Sequence, residues 1–180
     1  IAEEDFSDGR GVFYRVGNDQ NISVADNDGS DALIFRGRTT NSAEQVRTDI
    51  DTAGTSSVDV KMDYYELDTL DNGEGITVFV DGRAAFRVAH VGNSSILPPS
   101  VTILDPGLVS DVSLDFVKSG NFSGSRSYGS YAQGQDVHYK LSFTVPTPND
   151  STSIGFGSFM NQSDEGVAID NFNVTETPPL

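Results

Sequence analysis

The 180-residue chain has no cysteine and no tryptophan, and only two histidines, His90 and His138. Missing thiols exclude disulfides, thiolate nucleophiles, iron–sulfur clusters and zinc–thiolate sites together. Two distant histidines give no zinc-ligand spacing, and there is neither a Gly-x-Ser-x-Gly elbow nor a phosphate-cradling Gly-x-x-x-x-Gly-Lys loop. No run approaches the roughly 18 apolar residues needed to cross a bilayer. Basic residues are scarce as well: 11 Lys and Arg stand against 27 Asp and Glu, a formal net charge of −16. Such a surface repels phosphate backbones and anionic lipid heads, so nucleic acid and membrane are not expected partners.

What is present is a 36% hydrophobic share, spread as short runs of Val, Ile, Leu and Phe, enough for one packed core. The chain opens at Ile1 with no charged, apolar leader and closes on Thr177-Pro178-Pro179-Leu180. The expectation is a single module over 1–176, left after removal of a signal peptide, with 177–180 beginning a Pro-rich linker. A secreted, extracellular bacterial protein stapled by metal instead of disulfides fits this composition.

Ile76–Val80 and Arg83–Val88 flank Asp81-Gly82, a dipeptide that tolerates positive φ, and this predicts a hairpin. Further strands are expected at Gly11–Val16, Ala32–Gly37, Val58–Leu67, Val101–Ile103, Val112–Lys118, Asp136–Val145, Ser153–Phe159 and Val167–Thr175. No window sustains a helical apolar period with caps, so at most a turn or two of helix is expected. The fold class is therefore all-β, an antiparallel β-sandwich. Long polar connections at Asn18–Ser30, Arg38–Ser57 and Gly120–Gln135 are the places for function on such a scaffold.

Carboxylates cluster in three places. Asp26-Asn27-Asp28-Gly29-Ser30-Asp31 sets oxygen donors around a glycine, chemistry suited to a hard cation such as Ca²⁺, or a solvated acidic turn. It is not an EF-hand, because loop position twelve is Gly37. Glu3-Glu4-Asp5 at the start and Asp170 near the end would meet this loop if the first and last strands lie side by side. Asp68-Thr69-Leu70-Asp71-Asn72-Gly73-Glu74, just before the hairpin, is a second metal or ligand site or a solvated turn.

The stretches Glu4-Asp5-Phe6-Ser7-Asp8-Gly9, Asp28-Gly29-Ser30-Asp31-Ala32-Leu33, Glu66 to Gly75 running into Val78–Gly82, and Ile169-Asp170-Asn171-Phe172 resemble jelly-roll carbohydrate-binding modules of bacterial secreted enzymes. They are also similar to galactose-binding-like and MAM-type sandwiches. The resemblance implies a jelly roll with a structural calcium, held by Glu4 or Asp5, by Asp28 or Asp31, and by Asp170. The chain departs from many such modules in lacking tryptophan, which argues against a flat platform for crystalline polysaccharide.

Sugar rings stack their C–H faces on aromatic planes, and their hydroxyls need planar polar partners. Tyr128 and Tyr131, beside Arg126 and Gln133 in a Gly/Ser-rich loop, are the leading ligand candidates. Tyr64 joins them, although Tyr64 and Tyr65 must face opposite ways along a strand, so that at least one belongs to the core. Arg36, Arg38, Arg83 and Arg87 are a basic set that would admit an acidic glycan. A sandwich lyase would draw on His138, Tyr128 and Arg126, but no catalytic apparatus is recognisable, and no enzyme is expected. The reading is a calcium-stabilised, non-catalytic module that binds polysaccharide or oligosaccharide and is tethered to a catalytic or adhesin domain. The alternatives are a cell-surface module that binds protein, and the lyase.

Overall fold

The computed structural model describes residues 2–17, 22–27, 29–36, 45–67, 70–92, 98–120, 136–147, 149–161 and 165–177. Among them there is no helix. The strands are β1 (Ala2–Glu4), β2 (Tyr14–Val16), β3 (Ile22–Asn27), β4 (Ser30–Arg36), β5 (Gln45–Asp51), β6 (Ser57–Leu67) and β7 (Gly75–Val80). They continue as β8 (Arg83–Ala89), β9 (Ser100–Ile103), β10 (Ser110–Gly120), β11 (Asp136–Pro146), β12 (Ser151–Phe159) and β13 (Gly166–Glu176).

Two antiparallel sheets result. The first runs β10-β11-β6-β13-β4-β3, with β1 also on β13; the second runs β2-β5-β12-β7-β8-β9. From β4 to β7, and again from β11 to β13, each strand lies in the sheet opposite its predecessor, which is the winding of a jelly roll. The alternating pattern drives this arrangement: Val58, Val60, Met62 and Tyr64 of β6 face inward, as do Val137, Tyr139, Leu141 and Phe143 of β11. From the other sheet come Ile76, Val78, Phe86, Val88, Ile154 and Phe156, and Phe86 meets Phe143 edge-on at 5.0 Å across the sandwich.

Every strand predicted from sequence is present, and Asp81 and Gly82 both take positive φ (49° and 76°) at the hairpin turn. Three strands lie outside the expected set, the first being β1 at Ala2–Glu4. β3 lies inside the supposed connection Asn18–Ser30, and β5 inside Arg38–Ser57. In β5 only Val46 and Ile50 are buried apolar residues, and the buried Gln45 and Thr48 disguise the alternation.

From β2 onward strand direction alternates with strand number, whereas β1, antiparallel to β13, runs with the even-numbered strands. The last residues of β2, β4, β6, β8, β10 and β12 therefore lie at one end of the sandwich. At the opposite end two reversals are tight, Asp81-Gly82 and the turn joining Asn27 to its partner Ser30.

Candidate functional site

Two acidic places stand out, one at an edge of β13 and one at the long-loop end. On its edge side β13 pairs first with β4, through Gly166–Ile169, and then with β1, through Phe172–Val174. The gap between these partners is a bulge at Asp170 to Asn173, where Asn171 has φ 49°. The extra residue changes the parity of the strand, so that Val167 and Ile169 before it and Phe172 and Val174 after it all enter the core.

The bulge leaves the Asp170 carboxylate only 1% exposed, accepting from Ser30 Oγ at 2.7 Å and from the Asn171 amide at 2.6 Å. Burial pushes this carboxyl above its ordinary value, aided by the charges of Asp63 and Asp5 and opposed by those two hydrogen bonds. A cleft of about 790 Å³ adjoins it, lined by Glu3, Glu4, Asp5, Asp8 and Asn171 among others. First strand, last strand and the β3–β4 hairpin thus converge as expected from sequence.

Individual ligands fare unevenly. Glu4 Oε1 accepts the Phe6 amide at 2.8 Å and Oε2 the Val12 amide at 3.0 Å, so this carboxylate closes the loop that carries Phe6 and Phe13 into the core. Gly11 is required there, because a Cβ at that position would lie 1.5 Å from Glu4 Oε2. Asp5 accepts the Ser7 amide at 3.0 Å in a local turn, and Asp31 is exposed. The stretch expected to hold calcium joins β3 to β4 as a β-hairpin, with Asp26 opposite Asp31 and Asn27 opposite Ser30; Asp28 lies outside the described residues. The donor set is all oxygen and fits a hard cation, with Asp170 its buried member and Asp5 beside it.

Among the described residues, a tighter group lies elsewhere. Asp71, Glu74 and Glu165 each offer a carboxylate oxygen, all within 4.8 Å of one another. Glu74 also organises the connection, since it accepts the amides of Asp71 and Asn161, each at 2.8 Å. His90, at the end of β8, has its Nδ1 2.9 Å from Glu66 Oε2, and this hydrogen bond raises its pKa against the effect of burial. The sequence offers the stretch from Asp68 to Glu74 as a second metal or ligand site or a solvated turn. Glu66 and Glu165 are not part of it, because only the fold brings β6 and the residue before β13 beside it.

Tyr64 is corrected. It is 0% exposed within the sandwich, where no ligand can stack on it, and burial raises its hydroxyl pKa far above the ordinary value. Its neighbour Tyr65 faces the other way and stacks on His138 at 4.4 Å. Tyr128, Tyr131, Arg126 and Gln133 lie outside the described residues, in the connection whose ends are joined by the Gly120–Asp136 pair. The arginines do not form one patch: Arg36 is on β4, Arg83 and Arg87 are on β8 in the other sheet, and Arg38 is outside the described residues.

No protein-family description matches the sequence, and no curated protein matches it. Solved structures do. The K3 cleaved adhesin domain of Lys-gingipain from Porphyromonas gingivalis superposes with a TM-score of 0.56 at 13% identity, over 98% of this chain and 99% of that one. CBM27-1 of Caldicellulosiruptor saccharolyticus, solved in complex with mannohexaose, superposes with a TM-score of 0.50 at 12% identity, over 99% and 98%. The likeness is one of fold. The chain has the jelly-roll sandwich seen in a carbohydrate-binding module and in an adhesin domain, and among its described residues no helix could cross a membrane.

Proposed function

We propose that this sandwich is a non-catalytic carbohydrate-binding module of a secreted multidomain protein, stabilised by calcium at the β1–β13 edge. The observation that carries the reading is the gathering of the even-strand connections at one end of the sandwich. Rigid sandwiches present their binding groups on such loops. The sequence between the end of β10 and the start of β11, 121–135, holds two tyrosines with an arginine and a glutamine, the stacking and hydrogen-bonding groups that a sugar requires. Its work would be to hold an attached domain near polysaccharide, raising local concentration without chemistry of its own. At the edge, buried Asp170 with Asp5 and the neighbouring acids supports a cation that ties both ends of the chain to the β3–β4 hairpin.

The test is a glycan array probed in calcium, followed by calorimetry of the best ligand with Tyr128→Ala and Tyr131→Ala. Each variant is expected to lose at least ten-fold in affinity, about 1.4 kcal/mol, at an unchanged thermal midpoint. Binding to no glycan, or release of unsaturated sugar ends by the protein alone, would reject the module reading. A protein-binding role has one observation in its favour, the exposed Ile103, Leu104, Phe116 and Val117 along the edges of β9 and β10.

A further inference from the structure

Among the described residues, two arginines on the outer face of the second sheet, Arg47 and Arg87, pair with no carboxylate. Alternation along β5, β12 and β8 sends Val46, Phe156 and Phe86 into the core and turns Arg47, Gly155 and Arg87 outward. Arg87 lies over the ring of Phe159 at 4.8 Å, and Arg47 stands beside Gly155 in register. Acids outnumber bases 27 to 11 in this chain, so an arginine left without one needs a reason.

The acids around this face are committed elsewhere. Asp49, two residues from Arg47 on the same side of β5, accepts from the Tyr14 hydroxyl at 3.0 Å. Asp51 and Asp81 accept the amides of Ala53 and Ser153 at 3.0 and 2.8 Å, and Asp105 pairs with Arg83. Neutral groups hold Arg47 in place instead. Its Nε donates to Oε1 of Gln45 at 3.1 Å, and Gln45 is only 6% exposed. Its half-buried side chain crosses β12 where no other side chain stands in the way: a Cβ on Gly155 would lie 3.0 Å from Arg47 Cγ, and one on Gly82, in the β7–β8 turn, 3.2 Å from Nη2. Among the described residues Nη1 and Nη2 have no hydrogen-bond partner, so a guanidinium fixed on one side keeps four N–H donors free on the other.

We propose that this face binds a carboxylate-bearing sugar chain, a uronate, through the Arg47 guanidinium; the inference rests on the carbohydrate-binding reading and names the class of sugar. The fork of N–H donors on an arginine matches a carboxylate in two parallel hydrogen bonds, which a neutral hydroxyl cannot reproduce. Holding the guanidinium in advance, through Gln45 on one strand and the glycines beneath it, removes part of the ordering cost of binding. Tyr14 pairs with Arg47 in register and is 44% exposed, so a ring for stacking stands next to the charge. On the other side Arg87 is three strand spacings away, about 14 Å, where it meets a second carboxylate farther along the same sugar chain.

Calorimetry with short oligogalacturonates and oligomannuronates, each beside its carboxyl-reduced neutral counterpart, tests this. The wild type is expected to bind at least one acidic oligomer, and to bind it at least ten-fold more tightly than the neutral counterpart. Arg47→Ala should lose at least ten-fold toward the acidic oligomer and nothing toward neutral glycans. Arg47→Lys keeps the stem and the charge, so it should fold as the wild type does and still lose most of that affinity, because an ammonium cannot make the two parallel bonds. Uronate binding that survives Arg47→Ala would overturn the proposal, whether it then depends on Tyr128 and Tyr131, on calcium or on neither. Binding of a sulfated oligosaccharide but of no uronate would also overturn it. The two readings fail separately: binding of neutral glycans alone removes the uronate and leaves the carbohydrate-binding module, whereas binding of no glycan removes both.

Discussion

Asp63 shows how a single residue on the outer face of β6 holds three strands in register. It accepts from His138 Nε2 at 2.6 Å, Lys140 Nζ at 2.6 Å and Asn171 Nδ2 at 2.7 Å, and thereby ties β6 to β11 on one side and to the β13 bulge on the other. Burial pushes its carboxyl up, but the hydrogen bonds from Lys140, His138 and Asn171 outweigh burial and hold it below the ordinary value. A carboxyl whose folded pKa is depressed adds stability above its unfolded pKa, about 4, and that stability is lost as pH falls through the folded value. Asp63→Asn should therefore be destabilised at pH about 6, by about 1–3 kcal/mol for a buried charge-assisted network. The gap to wild type should narrow below pH about 4, because protonated Asp63 and Asn are both neutral. Urea unfolding across this range measures it, and a gap independent of pH would mean that the ionised state of Asp63 contributes nothing.

Among the elements, what could be read from the sequence depended on whether the signal was local. Asp81-Gly82 lies between two apolar runs and is legible as a hairpin, whereas the acids around the same dipeptide at Asp28-Gly29 hide from the sequence that it too joins paired strands. Alternation showed that Tyr64 and Tyr65 face opposite ways but not which face is core; that depends on packing against β11 and the second sheet, which no local window contains. The acidic group at the long-loop end was half legible for the same reason. Edges, too, belong to this scale. Among the described residues β9 pairs only with β8 and β10 only with β11, and Phe116 on β10 is 63% exposed. Next to it the register slips between Phe116 and Lys118, an irregularity that blunts the edge against pairing with another sheet. Phe116→Lys should shift stability by no more than about 0.5 kcal/mol, as for other exposed positions, while lowering the binding of a hydrophobic dye. Unchanged dye binding would remove this strip as a protein-docking surface.

At the scale of the whole molecule, the net charge of −16 sets the condition under which the fold must hold. Like charges at this density oppose the compact state, and simple salt relieves part of that repulsion by screening. A bound divalent ion does something different, because it interacts with the folded chain alone and stabilises by mass action, about 2.7 kcal/mol per site at a hundred times the dissociation constant. For a domain of this size about 1 kcal/mol moves the thermal midpoint by about 2–4 °C, so an occupied edge site amounts to a rise on the order of 5–10 °C. The comparison that separates the two effects sets calcium against sodium at equal ionic strength, with excess chelator in the sodium arm. Screening alone predicts equal midpoints, and specific sites predict a gap in favour of calcium. Asp170→Asn should remove most of that gap, because Asp170 is the buried carboxylate of the edge. Equal midpoints in calcium and sodium would leave the acids as a solvated surface and withdraw the metal from the edge.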